Sequence, residues 1–427
     1  MTITTTPTPT PTPSPDPHPG RPTLRQDPGF RLLFGAAAAG RLGTSVGALA
    51  LPLVAVLALD ASPGQVGLLA AAGTLAFVLI GLPVGAWVDR LRRRPVMIAA
   101  DLVRAALLGS VPAAWALHVL TLPQLYLVAL LTGAATVFFD VAAQSHLPDL
   151  VGRDRIGAAT TRLATLDAVA QIGGRSAGGF LVALLSAPLA VLLDAVSHLV
   201  SAVCLLRIRR PEPSATGAAR GRLGAEVREG LGFVLGHPSL RAIALSGACG
   251  NLSVQLCQTL LPVLFVRDLG LSGGAIGLFF ALGGVGALLG SLSARPLARR
   301  IGAGRTLCAA GLAVAPFSAL VALADRGPGL WLAGGGWLVT TFKVGVDNVI
   351  KVSHRQAVTP ERLRGRMNAT MRLVLTGALA TGAALAGLLG ELLSTRAALS
   401  VGAAGLALAW VPVWLSPLRR LRSVPGL

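Results

Sequence analysis

Charged residues are scarce in this sequence, and their scarcity excludes an ordinary soluble protein. They make up 13% of the 427 positions, about half of the roughly 25% found in soluble domains. Hydrophobic residues make up 53%, and the mean hydropathy is +0.70. This composition predicts an integral membrane protein. Lysine is nearly absent, with only Lys343 and Lys351, a bias that we attribute to a bacterial source with a GC-rich genome.

The sequence also lacks the motifs of enzymes, metal sites and ATP-driven pumps. Its four cysteines lie inside apolar runs without the spacing of metal ligands, and its histidines are scattered. No glycine-rich phosphate loop follows a predicted strand. We therefore expect no enzymatic activity, no cofactor and no bound metal.

The positive charge of the chain does not indicate a nucleic-acid partner. Lysine and arginine total 37 against 18 acidic residues, which gives a net charge of +19. The arginines are grouped in short clusters between long apolar runs, which is the pattern of cytoplasmic loops in membrane proteins. We expect the lipid bilayer to be the surrounding partner.

The apolar runs are long enough for twelve membrane-spanning helices, since a spanning helix needs about 20 mostly apolar residues. The fifth and tenth runs contain more charges than the others. The predicted spans are about 30–57, 64–88, 96–118, 122–144, 159–185, 188–207, 240–265, 272–294, 303–323, 329–351, 367–392 and 396–416.

The loops between these spans alternate in arginine content. Each even-numbered loop is rich in arginine, and each odd-numbered loop has little. Because positive loops stay in the cytoplasm, this alternation predicts an even number of spans and two cytoplasmic termini. The arginine-rich loops are 90–94, 153–155, 207–241, 295–305, 355–366 and 419–422.

The longest loop divides the chain into two parts of six spans each. Its residues 223–235 have the apolar periodicity of a short amphipathic helix. The predicted organisation is a disordered, Thr/Pro-rich cytoplasmic tail (1–25), a six-helix bundle (26–207), a cytoplasmic linker (208–239), a second six-helix bundle (240–417) and a basic tail (418–427).

The two halves repeat each other, and one loop resembles a known family. At a constant shift of 207, five residues of the first half correspond to five of the second: Asp140, Val151, Asp154, Arg155 and Ile156 to Asp347, Val358, Glu361, Arg362 and Leu363. The segment Gly85-x-x-x-Asp89-Arg90-x-x-Arg93-Arg94 resembles the loop between helices 2 and 3 of the major facilitator superfamily, with Arg92 at a position where that family has glycine. The resemblance implies an all-α integral membrane protein in which two pseudo-symmetric six-helix bundles form the major facilitator fold.

A narrower resemblance involves residues 101–105, 144–151 and 194–202. These segments are similar to the exporter branch of the superfamily that includes the enterobactin exporter and macrolide efflux proteins. This resemblance implies export of a small molecule.

The family resemblance also implies a conformational latch at the cytoplasmic end. Asp89 would face the positive N-terminus of helix 11 in the outward-open state. We expect Arg93 to pair with Asp140, and Arg299 with Asp347. The alternative is that Asp89 only ends its helix. The predicted latch residues are Gly85, Asp89, Arg90, Arg93, Asp140, Arg299 and Asp347.

Several polar residues lie at mid-depth in the predicted spans. A charge near the bilayer centre costs about 2.5–3.5 kcal/mol, so such groups face a cavity or a partner. The candidates for the substrate cavity or for proton coupling are Arg41, Asp167, Arg175, Asp194, Gln255, Gln258 and Lys343.

Internal pairing is an equally good explanation of these residues. Asp167 can pair with Arg41 or Arg175, and Lys343 can pair with Asp347 one turn away. If they instead contact the substrate, the surplus of cations favours an anionic or oxygen-rich molecule.

Proton coupling requires an acid inside the membrane. Asp167 and Asp194 are the candidates, with His198 one turn after Asp194. Residues 174–179 resemble the helix 5 signature of proton-coupled antiporters, with Arg175 where the signature has proline. These glycines are equally well explained as helix-packing residues.

The sequence as a whole predicts a multi-pass protein of the plasma membrane, functional as a monomer. We expect it to export a siderophore, natural product or drug by alternating access coupled to protons. The alternatives are an importer of a small metabolite and a non-transporting membrane sensor of the same fold.

Overall fold

A computed structural model describes Leu24 and residues 26–88, 90–209 and 223–422, in which all regular elements are helices. A π-helical turn, Leu264–Asp268, extends α8, and 3₁₀ turns occupy Arg153–Arg155 and Pro417–Arg420. The α-helices are α1 Pro28–Leu59, α2 Pro63–Val88, α3 Arg93–Ala116, α4 Leu122–Val151, α5 Ile156–Leu184, α6 Ala187–Leu206, α7 Leu223–Gly236, α8 Pro238–Val263, α9 Gly273–Ile301, α10 Ala303–Ala322, α11 Pro328–Val358, α12 Glu361–Leu392, α13 Thr395–Leu408 and α14 Val411–Trp414.

Ten helical segments in the described part of the chain are long and apolar enough to cross a membrane. They correspond to the predicted spans other than the fifth and the tenth. The helices at those two positions, α5 and α11, are 29 and 31 residues long, but they contain the additional charges noted in the sequence. The prediction of an all-helical membrane protein is confirmed.

The helix starts follow from local chemistry. Proline occupies the first turn of α1, α4, α6, α8 and α11, where its missing N–H group has no intrahelical partner to lose. Asp27 caps α1, because its carboxylate accepts hydrogen bonds from the backbone N–H groups of Gly29 and Phe30 at 3.1 and 3.3 Å. Ser272 and Ser394 cap α9 and α13 in the same way.

The helices pack into two groups, which we name the first bundle (α1–α6) and the second bundle (α8–α13). Five helix pairs in the first bundle have equivalents in the second: α1–α5 and α8–α12, α1–α6 and α8–α13, α2–α4 and α9–α11, α3–α4 and α10–α11, and α3–α6 and α10–α13. Between the bundles, α2 packs on α12 and α5 packs on α9. These two contacts are also equivalent under the same correspondence.

The connections between helices define two ends of the molecule. The arginine-rich end contains the α2–α3, α4–α5, α6–α8, α9–α10 and α11–α12 connections, and the arginine-poor end contains the α1–α2, α3–α4, α5–α6, α8–α9, α10–α11 and α12–α13 connections. At the arginine-poor end, Gly67 of α2 lies against Gly387 of α12, and Gly179 of α5 lies against Gly277 of α9. Backbones can approach this closely because glycine has no side chain.

The apolar core is continuous between the bundles at the arginine-poor end only, as far as the described residues show. One hydrophobic cluster there includes residues of both bundles, from Val46 in α1 to Leu406 in α13. Two further clusters lie toward the arginine-rich end, and each belongs to one bundle. The structure is therefore closed at the arginine-poor end and separated at the arginine-rich end.

Some predicted features lie outside the described residues. These are most of the tail 1–25, residues 210–222 of the linker, Asp89 and residues 423–427. The helix predicted at 223–235 corresponds to α7, which ends one residue later and packs on α8 and α12.

Candidate functional site

A cavity of about 510 Å³ lies between the two bundles at mid-depth. Helices α1, α2 and α4 supply most of its first wall, and α8, α9 and α12 supply the other. Hydroxyl groups dominate its polar lining, which includes Thr44, Thr74, Thr132, Thr136, Thr259 and Thr376. Gln255 and Gln258, both predicted as cavity residues, also line it, and Phe77 and Phe280 add aromatic surface.

One ion pair crosses this cavity from bundle to bundle. Arg372 Nη2 of α12 lies 3.3 Å from Asp140 Oδ2 of α4. The same guanidinium group lies over the ring of Phe77 in α2, with 4.6 Å between its central carbon and the ring centroid. Two side chains of the first bundle therefore hold Arg372 of the second. Arg372 was not among the predicted site residues.

A second cavity of about 260 Å³ lies beside the first, inside the first bundle. Thr44, Thr136 and Asp140 line both cavities. Arg41 and Asp167 line the smaller one, and Arg41 Nε lies 2.9 Å from Asp167 Oδ1. The structure thus shows the internal pairing that the sequence left as one of two explanations.

Asp194 of α6 lines the main cavity and belongs to a buried polar cluster. The cluster connects α6 to Asp101 and Arg104 of α3. Arg104 Nη2 donates to Asp101 Oδ1 at 2.5 Å, and Ser201 Oγ donates to Asp101 Oδ2 at 2.6 Å. His198 lies between the two aspartates, with Nδ1 3.2 Å from Asp101 Oδ1 and Nε2 3.4 Å from Asp194 Oδ1.

Lys343 lies in a separate buried cluster of the second bundle, away from the lining of both cavities. Its ammonium group lies 2.7 Å from Asp347 Oδ2, as the one-turn spacing predicts. Lys351 Nζ lies 2.9 Å from the same oxygen and also donates to Ser246 Oγ at 2.8 Å. The expected pairing of Arg299 with Asp347 is wrong here, because Arg299 is exposed near the end of α9 while Asp347 is buried between two lysines of its own helix.

The expected pairing of Arg93 with Asp140 is also corrected. Arg93 pairs with Asp149, near the end of α4. Asp140 lies nine residues further into α4, which is about 13 Å at 1.5 Å per residue and beyond the reach of Arg93. Asp140 pairs with Arg372 instead.

Two further latch residues, Gly85 and Arg90, lie at the separated end of the structure. Arg90 is exposed, and Gly85 is half-buried with open space beside its Cα. Asp89 lies outside the described residues. The latch stays a prediction for the opposite state, in which this end is closed.

The glycines of the predicted antiporter signature make close helix contacts. Gly174 lies against Ser45 of α1, and Gly178 lies against the backbone of Val46. Arg175 is part of α5, and nothing is described of its side chain. These contacts fit the helix-packing explanation of the signature.

Polar contacts across the bundles strengthen the closed, arginine-poor end. Glu391 of α12 accepts hydrogen bonds from Ser62 Oγ at 2.9 Å and from the backbone N–H of Gly64 at 3.0 Å, so it caps the N-terminus of α2. Arg267 Nη2 donates to Asp60 Oδ1 at 2.6 Å. Glu391 was not among the predicted site residues, although an acidic residue at the end of the eleventh predicted span was a signal for it.

Two bundles that repeat the same helix pairs around a central cavity, closed at one end, define a membrane transporter of the major facilitator type. The chain belongs to the transmembrane secretion effector family of that superfamily, whose family model matches residues 22–425. It is a multi-span protein of the cell membrane and a transporter, as predicted, and the predicted exporter branch is confirmed.

Two curated relatives align with nearly the whole chain. The multidrug efflux pump Tap of Mycolicibacterium fortuitum is 27% identical over 408 residues, which cover 93% of this chain and 98% of that protein. The enterobactin exporter EntS of Salmonella typhi is 27% identical over 419 residues, covering 94% and 96%.

Solved structures share the fold at lower identity. The nucleoside transporter NupG matches with a TM-score of 0.71 at 14% identity, covering 90% of this chain and 99% of that one. A bacterial homologue of the iron transporter ferroportin in its inward-facing state matches with a TM-score of 0.71 at 20% identity, covering 90% and 98%.

Proposed function

We propose that this protein exports a small molecule from the cell by alternating access, driven by the proton gradient. The observation that carries the proposal is the cavity between the bundles, which is closed at the arginine-poor end and crossed by the Asp140–Arg372 pair. A multidrug efflux pump and an enterobactin exporter as full-length relatives support the outward direction. Both walls of the cavity come from one chain, which supports a functional monomer.

The proposal includes twelve membrane spans, with α5 and α11 added to the ten apolar segments. Both helices are long enough to cross a bilayer, and both pack among the other helices of their bundle. The acidic side chains at mid-depth in these helices face partners, since Asp167 pairs with Arg41 and Asp347 pairs with Lys343. Paired charges of this kind are tolerated inside a membrane bundle.

The arginine-rich end is assigned to the cytoplasm because positive loops are retained there. The described structure is then the inward-facing state, with its cavity accessible to a cytoplasmic substrate. The transport cycle would carry the substrate outward when the arginine-rich end closes and the contacts of Glu391 and Arg267 break.

The cavity lining supports an amphipathic, oxygen-rich substrate without a fixed negative charge. Threonine hydroxyls and glutamine amides can bind hydroxyl and carbonyl groups, and Phe77 and Phe280 can contact apolar rings. The charged groups described in the lining are Asp140, Asp194 and Arg372, which together leave no surplus of cations. Siderophores, other natural products and hydrophobic drugs fit this description.

Inverted membrane vesicles test the proposal. Labelled siderophores and hydrophobic drugs are offered outside vesicles whose interior is acidified, because export in the cell corresponds to uptake into such vesicles. We expect at least one compound to accumulate, and accumulation to stop when an ionophore collapses the pH gradient. Uptake that is insensitive to the gradient would contradict proton drive, and accumulation only in right-side-out vesicles would indicate an importer.

A further inference from the structure

We propose that His198, which lies between Asp101 and Asp194, is the proton-binding group of this transporter. Asp194 connects His198 to the cavity. The inference rests on the proposed proton-driven export and assigns it to particular residues. Asp194, His198 and Ser201 follow each other at helical spacing on one face of α6. That face packs on α1 and α3, and His198 is 1% exposed.

The charges of this cluster require one additional proton. Asp101 already accepts hydrogen bonds from two donors, the guanidinium group of Arg104 and the hydroxyl of Ser201. The positive charge of Arg104 balances the negative charge of Asp101. His198 and Asp194 remain. A doubly protonated imidazole balances the charge of Asp194, whereas a neutral imidazole leaves an uncompensated carboxylate at a site where burial makes charge costly.

The geometry places that proton on the ring. A carboxylate oxygen lies opposite each nitrogen of His198, at 3.2 Å for Nδ1 and 3.4 Å for Nε2. An imidazolium donates from both nitrogens, but a neutral ring would direct one lone pair at a carboxylate. Asp194 Oδ1 is buried and, within the described residues, has no well-aligned hydrogen bond. It is the oxygen to which a proton can move from Nε2.

Asp194 connects this buried ring to the transport path. It lines the main cavity, whereas Asp101 and His198 do not. Gly43 and Gly47 of α1 lie directly against its carboxylate, and a side chain on either would overlap it. The two glycines therefore leave room for an acid that the cavity can reach. On proton binding, an O–H bond of hydronium breaks, the proton passes by way of the Asp194 carboxylate, and an N–H bond forms at His198. Proton release reverses these steps.

The other charged groups around α6 have partners of their own. On α1, Arg41 pairs with Asp167 of α5, and the helix presents Gly40 to the ring of His198. Asp140 of α4 pairs with Arg372 and also lies within electrostatic range of Arg104. Asp167 is a weaker choice for the proton carrier, because Arg41 lies 2.9 Å from its carboxylate and balances its charge.

Histidine protonation can be measured directly, without a substrate. The full-length protein is labelled with ¹⁵N-histidine, placed in lipid nanodiscs and studied by NMR, and His198→Gln identifies the His198 signals among six histidines. We expect both ring nitrogens to carry protons at pH 7 in the wild type, and one of them to lose its proton in Asp194→Asn. A wild-type ring that stays neutral from pH 5 to pH 9 would overturn the proposal.

A transport experiment separates proton coupling from folding. His198→Gln is compared with His146→Gln, which makes the same change at a buried histidine of α4 that lines neither cavity. We expect His198→Gln to reduce gradient-driven accumulation at least tenfold while it retains exchange of the same compound without a gradient. His146→Gln should retain both activities.

The outcomes distinguish this inference from the proposed function. Normal gradient-driven accumulation in His198→Gln would overturn the assignment of His198 as the proton-binding group. Loss of exchange together with accumulation would overturn it too, because it would indicate a structural role for His198. If the wild type itself shows no gradient-driven accumulation, proton-driven export fails, and the NMR result alone decides whether His198 binds the proton.

Discussion

Among the described residues, Arg372 is the cation that the second bundle contributes to the cavity lining. Its partners, Asp140 and Phe77, belong to the first bundle. The side chains of Asp140 and Arg372 are 30% and 37% exposed, so their attraction stabilises the fold by about 1 kcal/mol or less. Such a pair can break during a transport cycle without unfolding the protein. Its contribution should therefore be visible in transport rates and not in protein yield.

A charge-swap experiment tests this pair. Asp140→Arg or Arg372→Asp alone places like charges opposite each other, which repel by about 4 kcal/mol at 4 Å and an effective dielectric constant near 20. Since 1.4 kcal/mol corresponds to a factor of ten, we expect transport to fall more than tenfold in each single variant. The double variant should regain at least tenfold over either one, as measured by vesicle uptake normalised to protein amount.

The control for the swap is an exposed pair within the second bundle. Arg396 Nη2 of α13 lies 3.6 Å from Asp325 Oδ1 at the arginine-poor end, outside the cavity. Arg396→Asp should leave transport within about twofold of the wild type. A double variant as inactive as the singles would show that the residues act separately.

The sequence predicted charge pairs within one bundle, both on one helix, as for Lys343 and Asp347, and between neighbouring helices, as for Arg41 and Asp167. Lys343 and Asp347 are four residues apart, so helical geometry alone brings them together. Arg372 and Asp140 are separated by 232 positions, and their contact depends on how two bundles meet. A single sequence contains no local signal for that contact, which is why the role of Arg372 in the cavity was overlooked.

At the scale of helices, the contact between α2 and α12 controls the closed end. A Cβ atom on Gly387 would lie 2.9 Å from Gly64 O and 3.0 Å from Gly67 Cα. Because backbone atoms cannot rotate away, Gly387→Ala should force the two helices apart and favour the state open at the arginine-poor end. We expect a cysteine at Thr132, in the cavity, to react at least threefold faster with an impermeant maleimide from outside.

Gly377→Ala provides the matched control. All of these variants are made in a background without the four native cysteines. Gly377→Ala adds the same methyl group to α12, at a position where the structure leaves open space. Its labelling rate should equal that of the parent. Equal rates for Gly387→Ala and the parent would show that this glycine contact does not hold the end closed.

Helix boundaries were predicted most accurately where apolar runs end abruptly. The predicted third span, 96–118, corresponds to α3 at Arg93–Ala116. The fourth was predicted to end at 144, yet α4 continues to Val151 through polar residues. Hydropathy detects only the part of a helix that lies in lipid, whereas backbone hydrogen bonding continues the helix into the polar region.

For the whole molecule, the arginine distribution predicts which end faces the cytoplasm. Single cysteines replace Arg300 at the arginine-rich end and Leu117 at the other, both of which are exposed. In intact cells, we expect an impermeant maleimide to label the cysteine at Leu117, and to label the cysteine at Arg300 only after permeabilisation. Labelling of both in intact cells would contradict the proposed orientation.

The conformational state could not be predicted from the sequence in the same way. One sequence must support both the inward-facing and the outward-facing arrangement, so its pattern does not select between them. Asp89 and Arg93 were predicted from a motif that belongs to closure of the arginine-rich end. The described structure shows instead the contacts of the opposite end, such as those of Glu391.

Both lysines of the chain are buried in the second bundle, where their ammonium groups share Asp347. An amine-reactive ester added to the folded protein would therefore meet no lysine side chain on its surface. Acylation of Lys343 or Lys351 requires the helices around them to separate. Mass spectrometry of these two residues over time would thus measure opening of the second bundle in the native sequence, without an introduced label.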